Sequence, residues 1–291
     1  MDTEKCKALV LAVDLKSMSA AAQAMGYTPS GVVRMINSLE SELNISIIHR
    51  TNQGVTVTKE GIRVMPAIRG VVQSADTAHQ LAAEIKGLNI GDLSIGSLYS
   101  ISSSWLPKII KVFSNDYPNI HIHVVQDTCY KLMDITRNNQ LDCCIISYIP
   151  EDGDWINLGY DRLMALVPAD SPYANFETFP LSALDGMPFI NLFPNHNVNI
   201  DALLEKHNIS PKILFSVEDN YSAYTMVEAG LGISINNELA IIKWQGDVKC
   251  IPLDPPTTIP IGIYLPSLRD SSPATKKFIA YAKRFQQFLK E

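Results

Sequence analysis

The sequence predicts an α + α/β fold: an N-terminal winged helix-turn-helix, one long linker helix, and a larger α/β unit of two subdomains. Three observations carry this. Helical periodicities broken by capping residues fill residues 1–43. A short hairpin pattern precedes a long three-and-four repeat to about residue 87, and strand-like and helical runs alternate from Leu88 onward.

The chain has 291 residues, 46% of them hydrophobic, which exceeds what one core usually organises. Its formal charge is −6, unevenly spread. Residues 1–87 hold nine Lys/Arg and eight Asp/Glu, a balance of +1; residues 88–291 hold fifteen and twenty-two, a balance of −7. The acidity therefore belongs to the larger unit and does not exclude nucleic acid as a partner of the smaller one. No run of eighteen apolar residues occurs, and the N-terminus is acidic without a small-residue cleavage site, so a cytoplasmic location is expected.

In EKCKALVLAVD, Cys6, Leu9, Val10 and Val13 share one helix face. Ser17 or Ser19 can cap a second helix over Ala20–Met25, whose alanines permit close approach, and Gly26 suits the turn after it. Thr28-Pro29 restarts the chain with a capping hydroxyl and a proline at the first helical position. The third helix should run from Pro29 to Leu43. It turns Val32, Ile36, Leu39 and Leu43 inward and leaves Ser30, Val33, Arg34 and Asn37 on a face fit for a major groove. SIIHRTNQGVTVT then alternates and turns at Asn52-Gln53-Gly54, a two-stranded wing with Arg50 near its base.

Thr58 caps the linker helix, which should run to about Lys86, with Pro66 interrupting its hydrogen bonding locally. Ile68, Val71, Ala75, Ala78, Ala82 and Ile85 alternate spacings of three and four, the seam of a coiled coil, which predicts a homodimer.

Strand and helix then alternate through DLSIGS, SSWLPKIIKVFSNDY, IHIHVV, YKLMDITRNN and LDCCIIS, and again through RLMALVP, PFINL, residues 200–207, KILFSV, SAYTMVEAG and GISI. PIGIYL and a final helix over 273–290 return toward the first set. Two such units joined by crossovers leave a cleft where helix N-termini meet a ligand. Ser100, Ser102, Ser103 and Ser104 surround one helix start; Thr128 and Cys129 begin another; Phe193, Pro194 and Asn195 follow PFINL; Asn220 begins a helix on the opposite wall. No Arg or Lys stands at these loops. A neutral or singly charged small molecule is therefore favoured.

The chain resembles the LysR-type transcriptional regulators. The resemblance is carried by SMSAAAQAMGYTPSGVVRMINSLESELNISIIHRTNQGVTVTKEG (17–61), GDLSIGSLYSISSSWLPKIIKVFSNDYPNIHI (91–122), NNQLDCCI (138–145) and VEAGLGISI (227–235). It implies a DNA-binding domain at 1–58, a dimerisation helix at 59–87 and an effector-binding domain at 88–291. Within the last, subdomain I is expected at 88–161 and 267–291 and subdomain II at 162–266, in a two-lobed fold like that of type 2 periplasmic binding proteins. Partners implied are double-stranded operator DNA, a small-molecule effector and a second copy, with tetramers as the family forms them. No cofactor, metal, membrane or enzymatic role is implied.

The resemblance places Thr28, Pro29, Ser30, Val33 and Arg34 on the groove-reading face, with Ser17, Asn37, Arg50, Asn52 and Gln53 around it. Pro29 stands where glutamine is common and Val33 where serine is common. Neither can hydrogen-bond a base through its side chain, but both can touch a thymine methyl, while Arg34 suits a guanine edge or a phosphate. Six to eight phosphate contacts per dimer would give a salt slope of about −5 to −7. For the effector, the resemblance favours Ser100 and Ser102, and sets Cys129 where Ser or Thr commonly touches ligand.

Three rival readings carry less of the sequence. A redox sensor on this scaffold would use Cys129, since the adjacent Cys143 and Cys144 point to opposite strand faces. An enzyme finds little support: His121 and His123 form a lone HxH, and no nucleophile elbow, phosphate loop or HExxH occurs. A transporter's solute-binding protein would lack the winged domain.

Overall fold

The structure is a computed structural model that describes residues 1–51, 54–194 and 198–288. Helices α1 (Thr3–Asp14), α2 (Met18–Met25) and α3 (Pro29–Leu43) lead into a hairpin of β1 (Ile48–Thr51) and β2 (Gly54–Val57). Local chemistry fixes each boundary. Asp2 caps α1, Ser17 caps α2 by accepting from Ala20 N at 3.2 Å, and Gly26 ends it at φ 70°. Thr28 accepts from Gly31 N at 3.2 Å with Pro29 next in line, so α3 starts as its residues dictate. The shared core holds Cys6, Leu9, Ala12, Ala21, Ala22, Val32, Ile36, Leu39, Ile47 and Val55, all buried.

Helix α4 (Lys59–Ile85) is capped by Thr58, whose hydroxyl accepts from Gly61 N at 2.8 Å and donates to Ser46 O at the same distance. It continues through Pro66 as one helix, and the proline, having no N–H, leaves only the local gap in its hydrogen bonding. The predicted seam is only half free. Ile68 is buried in the winged-domain core and Val71 packs against it, whereas Ala78, Leu81, Ala82 and Ile85 are exposed. The periodicity was correct, but its first turns serve the helix's own domain.

The larger unit contains β3 (Gly91–Ser97), α5 (Tyr99–Ser102), α6 (Trp105–Asp116), β4 (Ile120–Gln126), α7 (Cys129–Arg137) and β5 (Cys143–Ser147). Next come β6 (Asp154–Pro168), β7 (Phe179–Pro180), β8 (Pro188–Leu192), α8 (Val198–Lys206), β9 (Lys212–Val217) and α9 (Asn220–Glu228). The chain ends with β10 (Ser234–Asn237), α10 (Glu238–Ile241), β11 (Val248–Asp254), β12 (Thr258–Leu265) and α11 (Pro273–Phe288).

Among the described residues an eight-stranded sheet runs in the order β4-β3-β5-β12-β6-β11-β7, with β10 also paired to β6. The strands β3, β4 and β5 are parallel, as the alternation of strand and helix requires. The fifteen-residue β6 joins the halves: its first part pairs antiparallel with β12, its last part with β10 and β11. Because β12 lies between β5 and β6, residues 258–265 belong to the first subdomain's sheet, not to a second subdomain running to 266. A small parallel pair, β8 and β9, completes the second half.

Candidate functional site

Two surfaces gather the predicted residues. On the first, Thr28, Pro29, Ser30, Arg34 and Asn37 are exposed along α3, and Val33 is half-buried beside them. The Thr28 and Ser30 hydroxyls lie 3.2 Å apart, and Arg34 Nε donates to Ser30 O at 3.4 Å. Ser17 is half-buried, with its hydroxyl occupied in capping α2. The wing approaches the same face: Arg50 donates to Asn37 Oδ1 and stands 3.8 Å from Glu40. Asn52 and Gln53 lie outside the described residues.

Glu40 was not singled out from the sequence, yet it organises this junction. Its Oε1 accepts from Ile47 N at 2.6 Å and Ile48 N at 3.1 Å, fixing the turn from α3 into β1. A glutamate two turns beyond a reading face looks like a solvated charge, and only the returning chain reveals its role.

The second surface is a cleft of about 670 Å³ between the two halves of the larger unit. Ser100, Thr128, Cys129, Phe193 and Asn220 all line it. Ser102 does not; its hydroxyl is buried without a hydrogen-bond partner. Asn195 lies outside the described residues. Ser147 and Asn199, both absent from the sequence reading, close the gap: Asn199 Nδ2 in α8 donates to Ser147 Oγ at the end of β5, at 3.0 Å. Helix α9 is capped by Asp219, which accepts from Ser222 N at 2.8 Å. The Ser222 hydroxyl first, and then the backbone N–H groups of Ser222 and Tyr221, hold the Asp219 carboxyl below its ordinary range.

Charge in the cleft differs from expectation. Lys131 lines it, together with Asp127, Glu218 and Asp219. Lys131 is the third residue of α7, inside the first turn of the helix, so scanning loops alone overlooks it. Tyr99 and Tyr221 also line the cleft and share Trp244 as an aromatic neighbour, with centroids at 6.0 and 5.3 Å.

Cys129 is buried, and burial pushes its thiol up. Cys143 and Cys144 are fully buried, with the Cys144 thiol raised to about 12. All five cysteines are free. A reactive thiolate needs the opposite environment. Among the described residues no third metal ligand joins His121 and His123, and no helix is long and apolar enough to cross a membrane.

A three-helix domain with a hydrogen-bonded wing, a long helix and a two-lobed cleft domain together define a one-component regulator. Residues 3–62 match the bacterial regulatory helix-turn-helix protein family of LysR type, and residues 86–287 match the LysR substrate binding domain. The chain belongs to the LysR family and is a DNA-binding transcriptional regulator with an effector-binding domain. The HTH-type transcriptional regulator YvbU of Bacillus subtilis is 26% identical over 97% of this chain and 98% of its own. Among solved structures, full-length OxyR from Pseudomonas aeruginosa shares the fold with a TM-score of 0.79 at 20% identity, over 97% of this chain and 98% of that one. Full-length CbnR complexed with its target DNA aligns with a TM-score of 0.58 at 18% identity, over 98% and 100%.

Proposed function

We propose that this regulator reads its operator through Thr28, Pro29, Ser30, Val33 and Arg34, with Ser17, Asn37, Arg50, Asn52 and Gln53 in support. Its effector would bind in the cleft through Ser100, Thr128, Cys129, Phe193 and Asn220. The observation that carries this is the convergence of five residues, chosen for lying at helix starts and loops, on one cleft with walls from both subdomains. A lining with one lysine, Lys131, and three carboxylates supports a neutral or singly charged effector over a multiply charged anion. Function in the cytoplasm as a homo-oligomer fits two exposed apolar surfaces: the Leu81–Ile85 side of α4, and β9, where Ile213, Leu214 and Phe215 are exposed. No catalytic role is assigned.

The test is a salt titration of binding to the DNA immediately upstream of its own gene, repeated with Arg34→Ala. Binding should weaken with a slope of about −5 to −7, and the variant should lower its magnitude by about 2 for a dimer. Salt-independent binding would overturn the DNA reading. For the cleft, a thermal-shift screen of neutral and singly charged metabolites should yield a stabilising compound whose effect is lost in Asn220→Ala.

A further inference from the structure

Helix α7 touches two places that the fold otherwise keeps apart. At its N-terminal end Thr128, Cys129 and Lys131 line the cleft. Just beyond its C-terminal end Asn139 adopts φ 54° and donates from Nδ2 to the carbonyl of Pro66, 3.3 Å away, in the first third of the linker helix. Gly70 leaves the room this requires, since a Cβ there would stand 3.3 Å from the same Asn139 nitrogen. A few residues on, Asp142 accepts from Ser94 N at 2.8 Å through one oxygen and from Gln73 Nε2 at 3.4 Å through the other. Two positions three residues apart after α7 thus hold α4 at two points about two helical turns apart.

Between its ends the helix is built to move as one piece. Nine residues span about 14 Å. Leu132, Met133 and Thr136 are buried, and Thr136 Oγ1 donates to Leu132 O at 2.6 Å. Beyond the last turn Asn139 N and Gln140 N donate back to Thr136 O and Ile135 O at 3.1 and 2.9 Å, so the grip is hydrogen-bonded to the helix itself. Beside it lies a cavity of about 670 Å³ lined by residues of both units, Arg69, Gln73 and Asp142 among them, which leaves space for a shift.

The geometry points to α7 as the element that couples the cleft to the linker helix, with Asn139–Pro66 and Asp142–Gln73 as the clasp that transmits displacement. A group pressing on Thr128 or Cys129 displaces the far end of the same rigid helix, and the clasp carries that displacement to α4 and thereby to the winged domain packed on it. This rests on reading the cleft as the effector site, but the coupling can be measured without an effector.

The experiment is hydrogen exchange of the full-length chain, followed over residues 66–76. Cys129→Met crowds the cleft end of α7, and Asn139→Ala with Gln73→Ala opens the clasp. With the clasp intact, Cys129→Met should change exchange in 66–76 by roughly twofold to thirtyfold, the range expected for side-chain coupling. With the clasp opened, the same substitution should leave 66–76 unchanged. Lys277→Ala, which removes a separate contact to Glu84 of α4, should not abolish the transmission. No change in the intact protein, or an equal change after the clasp is opened, would overturn the proposal. If Cys129→Met does not fold, Thr128→Leu, which crowds the same end of α7, takes its place and is judged by the same two outcomes. Failure here leaves the effector site itself standing, because no ligand enters the measurement.

Discussion

Arg69 in α4 donates to both carboxylate oxygens of Asp14 at the end of α1, with Nη1 to Oδ2 at 2.9 Å. The arginine is 7% exposed and the aspartate 42%, so the guanidinium is the desolvated partner. The fork-to-fork contact fastens the linker helix to the first helix of the winged domain. Asp14→Ala strands a buried cation and should destabilise by about 1–3 kcal/mol, less than for a fully buried pair because Asp14 is half in water. Arg69→Met, which removes the charge and keeps the stem, should cost less. Urea unfolding of the three proteins orders them.

Gly61 is pressed against the chain it follows. A Cβ there would collide with the Ile47 carbonyl oxygen and stand 2.7 Å from Val57 Cγ1. Gly61→Ala must therefore push α4 away from the wing, and a loss of about 1–3 kcal/mol is expected. A thermal melt reads this, and DNA affinity should fall with it if the wing shifts.

Asp161, 1% exposed on β6, accepts from Leu239 N and Asn237 Nδ2, both at 3.1 Å. Burial raises its carboxyl to about 7 despite those bonds. Below about pH 4 folded and unfolded chains both hold the proton, whereas between about 4 and 7 only the folded chain does. Its contribution to stability is therefore lost as pH rises through that window and is constant above it, by at most about 4 kcal/mol. Denaturant midpoints from pH 4 to 8 should fall more steeply for wild type than for Asp161→Asn; equal slopes would show that Asp161 ionises normally.

The cysteines divide by access. Cys250 is exposed, while Cys6, Cys129, Cys143 and Cys144 are buried. A thiol reagent at neutral pH should modify Cys250 in the native protein and the other four only on unfolding. Rapid native labelling of Cys129 would instead revive a redox role for it.

Legibility in the sequence followed the range of the interactions. Caps such as Ser17, Thr28-Pro29 and Thr58 act within three residues, and they stand where their chemistry places them. The seam was misread in part because Ile68 and Val71 keep a coiled-coil period while facing their own domain, which only tertiary packing reveals. DWINLGYD, residues 154–161, carries Asp, Asn and Gly and gives no strand signal. It becomes strand because β12 pairs along it, across a separation of about a hundred residues. In the cleft, helix starts at 128 and 220 were readable, but Asn199 reaches Ser147 from an element 52 residues away, and no local pattern announces such a bond.

The unbroken course of β6 through both halves of the larger unit also limits how the protein can be taken apart. A fragment ending inside residues 154–168 would expose backbone edges on two sides, so neither lobe is a portable module. Chimaeras that exchange sensing between regulators should be joined near residues 86–90, where α4 has ended and the sheet has not begun, and should carry the whole two-lobed unit.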